Sequence, residues 1–200
     1  MGVFARLVGG RLNAMARISI HWSKEERAYG GGELRSHFLL DAFGIFGDVA
    51  AAFVGPCRVE KETMVDLEDL RRGDFIYSPR MLHFLVEHFD LGLREGVIRQ
   101  RLLARLAADE LLERGLCPRV RGDDLYLDQR KASVSIATRS PVSVLIHLGI
   151  NVRTEGVPVP AWGLEETTIE PEVLARKVLG RYQEEIDDIY RSVAKVRATS

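Results

Sequence analysis

Residues Arg121–Val152 read RGDDLYLDQRKASVSIATRSPVSVLIHLGINV, and this stretch decides the fold. Leu125–Leu127 has strong strand preference, and Asp128-Gln129 after it predicts a tight turn. Residues Lys131–Ala137 then alternate between polar and apolar, which is the pattern of a half-buried strand. After a turn that contains proline, a second alternating run extends from Val142 to Leu148. The stretch therefore predicts three consecutive strands.

The two longer strands are joined by a connection that is too short for a crossover, so we expect them to pair antiparallel. With a three-residue loop at 138–140, Lys131 faces His147 and Ser135 faces Ser143. Opposite residues point to the same face of a sheet, so this register predicts one polar face and one apolar face under helices. The polar face would contain Lys131, Ser133, Ser135, His147 and Asn151, and the apolar face Ala132, Val134, Ile136, Val142, Val144, Ile146 and Leu148.

Lys131, which follows Arg130, is the best candidate for a reacting group. A lysine ammonium among small polar side chains can hold a phosphate or stabilise developing negative charge. The same spacing also fits a solvated strand lysine. Similarly, His147 in an apolar strand fits either an acid–base group or a hydrogen-bonded core histidine. Spacing alone leaves both interpretations open.

Arg35 and His37 lie outside the central stretch but belong to the candidate binding residues. Arg35 could bind a carboxylate or phosphate through two hydrogen bonds, and His37 could position a carbonyl. An internal salt-bridge network explains both residues equally well.

Three helices are predicted around the central stretch. Ser78-Pro79 is typical of a helix start, with an apolar stripe behind it, and a second helix is predicted from Leu93 to Arg114. The last begins at Pro171. On the first of them, His83 and Glu87 would lie one turn apart and could share a metal. Because no third ligand accompanies them, no metal site is predicted.

These elements predict an α+β fold, with a mainly antiparallel sheet and helices packed on one face. The polar face would carry a pocket containing Lys131, Ser133, His147, Asn151 and Asp124, joined by Arg35 and His37. Two hundred residues fit a single domain, which we expect at residues 16–200, with residues 1–15 as a flexible extension. Either Met1 or Met15 fits the start of the native chain.

Composition limits the partners and the compartment. The net charge of −1 predicts no general attraction to nucleic acid or to a membrane surface, and no apolar run approaches the ~18 residues of a membrane span. Cys57 and Cys117 are far apart and lack metal-site spacing. They favour a reducing compartment, so a cytoplasmic location is expected.

The central stretch resembles the active-site core of the biotin and lipoate protein ligases. That family carries an Asn-Asp-hydrophobic strand, a turn, an Arg-Lys pair and a strand ending in Gly-Ile-Asn-Val or a relative. The resemblance implies that Lys131 corresponds to the catalytic lysine, which contacts the acyl-adenylate or acyl carbonyl. It implies that Asp124 is the acidic residue of the Asn-Asp pair, that Asn151 closes the second strand, and that His147 corresponds to a histidine of the lipoate branch.

From about residue 16 onward, the chain also resembles the prokaryotic proteins of domain-of-unknown-function family 366. This resemblance implies a single domain related to the ligase catalytic core and to class II aminoacyl-tRNA synthetases. It brings no activity with it. The supporting stretches are Glu33–Phe38, Met64–Leu70, Arg121–Asp124 and Ser133–Thr138.

The chain departs from the ligase pattern at three places. The Gly-Arg-Gly-Arg loop of biotin ligases is missing, and Arg27–Gly32 resembles instead the arginine and triple glycine of the lipoate branch. Asp123 replaces the asparagine before Asp124, which adds negative charge where ATP phosphates would lie. Trp162 stands where octanoyl transferases carry a nucleophilic cysteine, which excludes a thioester mechanism at that position.

Two functions remain open at this point. The first is an adenylate-forming ligase or acyltransferase that uses Lys131, with ATP and magnesium as cofactors, a small acid as substrate and an acceptor protein as a further partner. The second is a non-catalytic module that binds a small acid or a nucleotide. Binding of tRNA ends has little support, because the near-neutral charge and the lack of a basic aromatic surface argue against nucleic acid.

Overall fold

The structure, a computed structural model, describes residues 16–89 and 91–199. Within these residues, the strands form a five-stranded sheet and a separate three-stranded sheet. In chain order the strands are β1 (Ser19–Trp22), β2 (Val49–Val59), β3 (Ile76–His88), β4 (Arg119–Arg121), β5 (Asp124–Leu127), β6 (Arg130–Lys131), β7 (Ser133–Arg139) and β8 (Val144–Arg153). The large sheet has the order β1-β2-β3-β8-β7, and the small sheet the order β4-β5-β6.

Two long helices cover one face of the large sheet. They are α3 (Leu93–Leu112) and α4 (Pro171–Ala194), and the short helices are α1 (Phe38–Phe43) and α2 (Leu67–Arg72). Because only β1 and β2 run parallel, the sheet is mainly antiparallel, and the predicted α+β class is confirmed. The predicted helices from Leu93 and from Pro171 are confirmed as well. In the part of the chain that the structure describes, no helix is both long and apolar enough to cross a membrane.

Strands β2, β3 and β8 are buried on both faces, so they separate two apolar cores. Ala52, Phe84 and Leu148 belong to the core under α3 and α4. Phe53 and Leu85, from the alternate positions, belong to the core on the opposite face. The opposite face is the one from which the candidate site is built.

The helix predicted from Ser78 is wrong, because Ser78 lies inside β3. A strand buried on both faces is apolar at nearly every position, so its residues imitate a helical stripe. Pro79 is tolerated because the pairing of β3 with β8 shifts between Arg80 and Met81. Proline within a sheet is confined to such irregularities, since it has no N–H to donate.

The predicted register of the two central strands is also wrong. Ile136 lies opposite His147, where Lys131 was expected, and this difference of five residues exchanges the two faces of β7. Val134 and Ile136 therefore share the face of His147. Ser135 faces α3, where its Oγ accepts a hydrogen bond from Gln100 (3.0 Å).

Ala132 divides the strand that was predicted for Lys131–Ala137. Its N–H donates to the Leu125 carbonyl of β5 (2.8 Å), and its carbonyl accepts from the N–H of Asn151 in β8 (2.9 Å). The chain thus leaves the small sheet and enters the large one at this residue. Lys131 belongs to the small sheet, where it lies opposite Tyr126, and Ser133 begins β7.

The turn between β5 and β6 forms at Asp128 and Gln129, as predicted. Both residues have positive φ, 47° and 62°, which is the conformation of a two-residue hairpin turn of type I′. The extension predicted for residues 1–15 lies outside the described residues.

Candidate functional site

Two neighbouring cavities meet at Lys131. The first has a volume of about 240 Å³ and extends from Lys131 to Tyr29 and His147. The second, of about 390 Å³, extends from Lys131 to Tyr77 and Asn151. Lys131 therefore lies between two spaces, each of which could hold part of a ligand. The residues shared by both linings are Asp69, Arg72, Ile76, Lys131 and Val134.

The backbone of Lys131 is held on both sides. One side pairs with Tyr126 of β5. On the other side, the Lys131 N–H donates to the Pro160 carbonyl (3.0 Å), and the Lys131 carbonyl accepts from the Trp162 N–H (3.0 Å). The segment after β8 thus adds a strand-like partner to β6. A lysine fixed in this way loses little further backbone freedom when a ligand binds.

The Lys131 ammonium lies 2.8 Å from Oδ2 of Asp124, and the two side chains are 33% and 23% exposed. Burial is the largest single effect and opposes the charged form of Lys131. The hydrogen bond to Asp124, the charge of Asp124 and the charges of neighbouring groups together outweigh burial and raise the pKa of Lys131. Burial, together with the nearby Asp123 and Asp69, raises the pKa of Asp124 by more than the Lys131 ammonium lowers it. Lys131 is therefore a protonated, oriented cation at neutral pH.

Arg130 has a different task from Lys131. Its guanidinium binds the Glu166 carboxylate through two hydrogen bonds of 2.9 and 2.8 Å, and it lines neither cavity. Because Glu166 follows the segment 160–162 that pairs with Lys131, this ion pair holds that segment in place. Of the Arg-Lys pair, only the lysine is presented to the cavities.

His147 lines the first cavity from β8 and is almost fully buried. Its Nε2 lies 3.0 Å from Nδ1 of His83 in β3, and Nε2 of His83 lies 3.2 Å from the Gly55 carbonyl. The ring of Tyr29 stacks on His147 with centroids 3.9 Å apart. Burial lowers the pKa of His83 to about 3, and burial together with His83 lowers that of His147, so both rings are neutral.

Ser133 and Asn151 line the second cavity rather than the first. The Ser133 hydroxyl accepts a hydrogen bond from the Leu125 N–H (2.8 Å), which ties β7 to the small sheet. The Asn151 amide nitrogen donates to the carbonyls of Lys131 and Trp162, both at 3.4 Å. Asn151 therefore supports the backbone that carries the lysine. The expected polar surface shared by Ser133 and His147 is not formed.

Arg35 and His37 lie outside the Lys131 site. Arg35 is exposed and forms an ion pair with Asp41 (2.9 Å). His37 directly precedes α1, and its ring lies against Phe89 at the edge of another small cavity. For Arg35, the structure therefore forms the internal salt bridge that the sequence left open as an alternative to ligand binding.

The pair of His83 and Glu87 does not have the geometry of a metal site. Four residues along a strand span about 13 Å, instead of the single turn expected on a helix. His83 bonds His147, whereas Glu87 accepts hydrogen bonds from Ser143 and from the backbone of His37. No group of three or more metal-ligating side chains occurs in residues 16–89 and 91–199.

The sequence did not single out several residues that form the site. Tyr29 belongs to the segment Arg27–Gly32, which was noted for its arginine and its glycines, and Gly31 of that segment lines the first cavity. Gly31 has a φ of 88°, and a Cβ there would lie 2.9 Å from the Thr63 carbonyl oxygen. Arg72, at the end of α2, had no motif to mark it. Only the three-dimensional arrangement brings these residues to Lys131.

The chain belongs to the family described as "Domain of unknown function (DUF366)", whose model matches residues 18–197. "Uncharacterized protein MJ0805" of Methanocaldococcus jannaschii is 36% identical over 185 residues, which cover 89% of this chain and 84% of the relative. A solved structure described as "Protein of Unknown Function from Pyrococcus horikoshi" is 38% identical, with a TM-score of 0.87. That similarity covers 92% of this chain and all of the other.

More distant structures share the fold alone. A biotin protein ligase from Aquifex aeolicus in complex with biotin and ATP has a TM-score of 0.54 at 16% identity, over 85% of this chain and 72% of the ligase. The putative lipoate protein ligase Ta0514 from T. acidophilum, with bound lipoic acid, has a TM-score of 0.52 at 14% identity, over 74% of this chain and 76% of the ligase. The fold is therefore that of the biotin and lipoate ligases.

Proposed function

We propose that the protein is a carboxylate- or acyl-handling enzyme of the biotin/lipoate ligase type, with Lys131 as its catalytic residue. The observation that carries this proposal is the position of Lys131 at the junction of two cavities. An acid-activating enzyme must hold two reactants with the reacting atoms in contact, and a cation at that contact stabilises the charge that develops there. The structural likeness to ligases that bind biotin or lipoic acid supports the same assignment.

In the proposed reaction, an oxygen of the acid's carboxylate attacks the α-phosphorus of ATP, and pyrophosphate leaves. Lys131 would bind an oxygen on the acyl or phosphoryl group, where negative charge accumulates. Asp124 would keep the ammonium protonated and aimed at the junction, because the two groups lie 2.8 Å apart. An amine of an acceptor protein would then attack the acyl carbonyl, so that an amide bond forms, the bond to the adenylate breaks and AMP leaves.

The cavity residues fit ATP and magnesium in part. Lys131 and Arg72 are the cations that line both cavities, and both could contact phosphate. Magnesium bound with a nucleotide needs only one or two protein carboxylates, which the aspartates of the lining could supply. Arg72 is already engaged with Glu68, Asp69 and Asp74, so a phosphate would have to displace part of this ion-pair network.

The test is acid-dependent exchange of labelled pyrophosphate into ATP, with biotin, lipoic acid and octanoic acid as candidate substrates. We expect exchange with one of them, and its loss in Lys131→Ala with the thermal midpoint nearly unchanged. Lys24→Ala is the matched control, because Lys24 is exposed and lines neither cavity. Undiminished exchange in Lys131→Ala would exclude the assigned role.

The second candidate is a non-catalytic module that binds a small acid or nucleotide in the same cavities. The observation in its favour is the charge of the first cavity, where Lys131 and Arg72 face an acidic lining. Such a lining repels the triphosphate of ATP more strongly than a ligand with a single negative charge, unless cations neutralise it. Stabilisation of the folded protein by a ligand, measured by thermal unfolding, without any exchange would favour this candidate. The acidic residues are Asp66, Glu68, Asp69, Asp123 and Asp124.

A further inference from the structure

His83 and the Gly55 carbonyl fix the proton positions on His147. A carbonyl oxygen can only accept, so the hydrogen bond to Gly55 requires a proton on Nε2 of His83. In a neutral imidazole the other nitrogen is then an acceptor. Nδ1 of His83 must therefore accept the proton carried by Nε2 of His147, which lies 3.0 Å away.

This order of protons leaves Nδ1 of His147 as a lone-pair acceptor. No hydrogen bond to that atom is formed by residues 16–89 and 91–199. The atom is also not among the fully enclosed polar side-chain atoms that lack a partner in this part of the chain. Since the imidazole lines the first cavity, Nδ1 is open to that cavity.

The ring cannot easily turn to offer a donor instead. Tyr29 stacks on it at an interplanar angle of 13°, with the ring centroids 3.9 Å apart. Rotation would also break the bond to His83 and leave a buried nitrogen without a partner, which is costly. Nδ1 of His147 therefore presents a hydrogen-bond acceptor in a fixed position to the first cavity.

We propose that the first cavity selects ligands that present an N–H or O–H donor to Nδ1 of His147, and that His83 is the positioning residue that sets this preference. The inference deepens the proposed function, because it predicts the class of acid: one with a hydrogen-bond donor at the end remote from its carboxylate. Acids with a plain hydrocarbon or dithiolane end would leave the acceptor unpaired. A site built to hydrogen-bond a ligand group rejects analogues that lack it.

The first experiment measures the proton positions directly. Two-bond proton–nitrogen correlation spectra of the full-length protein, labelled with ¹⁵N in histidine, distinguish the two neutral forms. We expect Nε2–H and unprotonated Nδ1 on both His83 and His147 at neutral pH. In His83→Phe, His147 should lose this fixed form and populate both. A proton on Nδ1 of His147 in the native protein would overturn the inference.

The second experiment compares three acids as probes: biotin, whose cyclic urea carries two N–H donors, and lipoic and octanoic acids, whose ends carry none. We expect biotin to shift the Nδ1 resonance of His147 and to bind roughly five- to tenfold more tightly than the others, the factor that one net hydrogen bond contributes. His147→Phe, which keeps a ring against Tyr29, should abolish that difference, whereas the control His21→Phe should retain it. Equal responses to the three acids, including no response to any of them, would contradict the proposal.

The spectra of the native protein decide the matter even where His147→Phe does not fold. The inference and the proposed function also fail separately. Donor selectivity without ATP–pyrophosphate exchange would support the acceptor at His147 and remove the ligase assignment. Exchange with octanoic acid, together with a proton on Nδ1 of His147, would support the ligase assignment and remove the acceptor at His147.

Discussion

Acidification should destabilise the fold through His83 and His147. Burial lowers the pKa of His83 from 6.5 to about 3, and burial followed by the nearby His83 lowers the pKa of His147. Above pH 6.5 both residues are neutral in the folded and the unfolded chain, so their full contribution to stability is present. Below pH 6.5 only the unfolded chain takes up these protons, and the free energy of unfolding therefore falls with pH.

The size of the effect follows from the size of the shift. Each pH unit below 6.5 removes about 1.4 kcal/mol for each histidine that stays neutral in the folded state. At pH 4.5 His83 alone therefore costs about 3 kcal/mol, and His147 adds a loss in the same direction, against a typical total stability of about 5 to 15 kcal/mol. Asp124 works in the opposite direction, because burial raises its pKa and its protonation favours the folded state.

Urea unfolding at pH 7.5, 6.5, 5.5 and 4.5 measures this dependence. We expect the free energy of unfolding to fall by about 1.4 kcal/mol per pH unit below 6.5 from His83 alone, more steeply in the native protein because His147 adds to it, and less steeply in His147→Phe than in the native protein. His37→Asn is the control, because His37 is exposed and has a positive φ that asparagine accepts. A native slope below about 1 kcal/mol per pH unit, or an unchanged slope in His147→Phe, would refute the reasoning.

Three further substitutions test contacts around the site. Gly55→Ala should destabilise the protein by about 3 kcal/mol or more, measured by urea unfolding, because its Cβ would lie 1.8 Å from the Arg27 carbonyl oxygen; a loss below 1 kcal/mol would disprove that close approach. Ser133→Ala should cost about 1 to 3 kcal/mol in the same assay, because it leaves a buried N–H of β5 without its acceptor, and an unchanged midpoint would contradict this. Asp124→Asn should lower the pKa of Lys131, because burial then acts without the carboxylate; ¹³C-dimethyl labelling of lysines followed by an NMR titration would detect the shift, and an unchanged pKa would argue against the pairing.

Local patterns in the sequence predicted much of the fold. The helices from Leu93 and Pro171 followed from spacing and from terminal residues, and the turn at Asp128-Gln129 followed from the short polar gap between strands. The resemblance to the ligases marked both Asp124 and Lys131, and the structure places them in direct contact. These features depend on residues close together in the chain, which sequence patterns describe well.

The remaining site features depend on contacts between distant residues. Ser78 was assigned to a helix because a strand buried on both faces has no alternation to reveal it. His83 and His147 are 64 positions apart in the chain, but Nδ1 of His83 lies 3.0 Å from Nε2 of His147. Because β3 was not predicted as a strand, the sequence could not place the two residues side by side. The register of β7 was missed because the loop length alone was used to set it, while the structure begins β8 only at Val144.

The helix assigned at Ser78 and the wrong register of β7 both affect the surroundings of His147. Its neighbours could therefore not be identified from the sequence. In the predicted register, His147 faced Lys131, and an acid–base role was one of the two interpretations that the spacing left open for it. In the observed register it faces Ile136 across the sheet, and its hydrogen bond goes to His83 instead. A neutral ring with a lowered pKa is poorly suited to accept a proton at neutral pH, since the ideal catalytic pKa lies near the working pH. The two residues that the sequence grouped therefore differ in kind: Lys131 is a positive charge at the junction of the cavities, and His147 is a neutral ring that lines one of them.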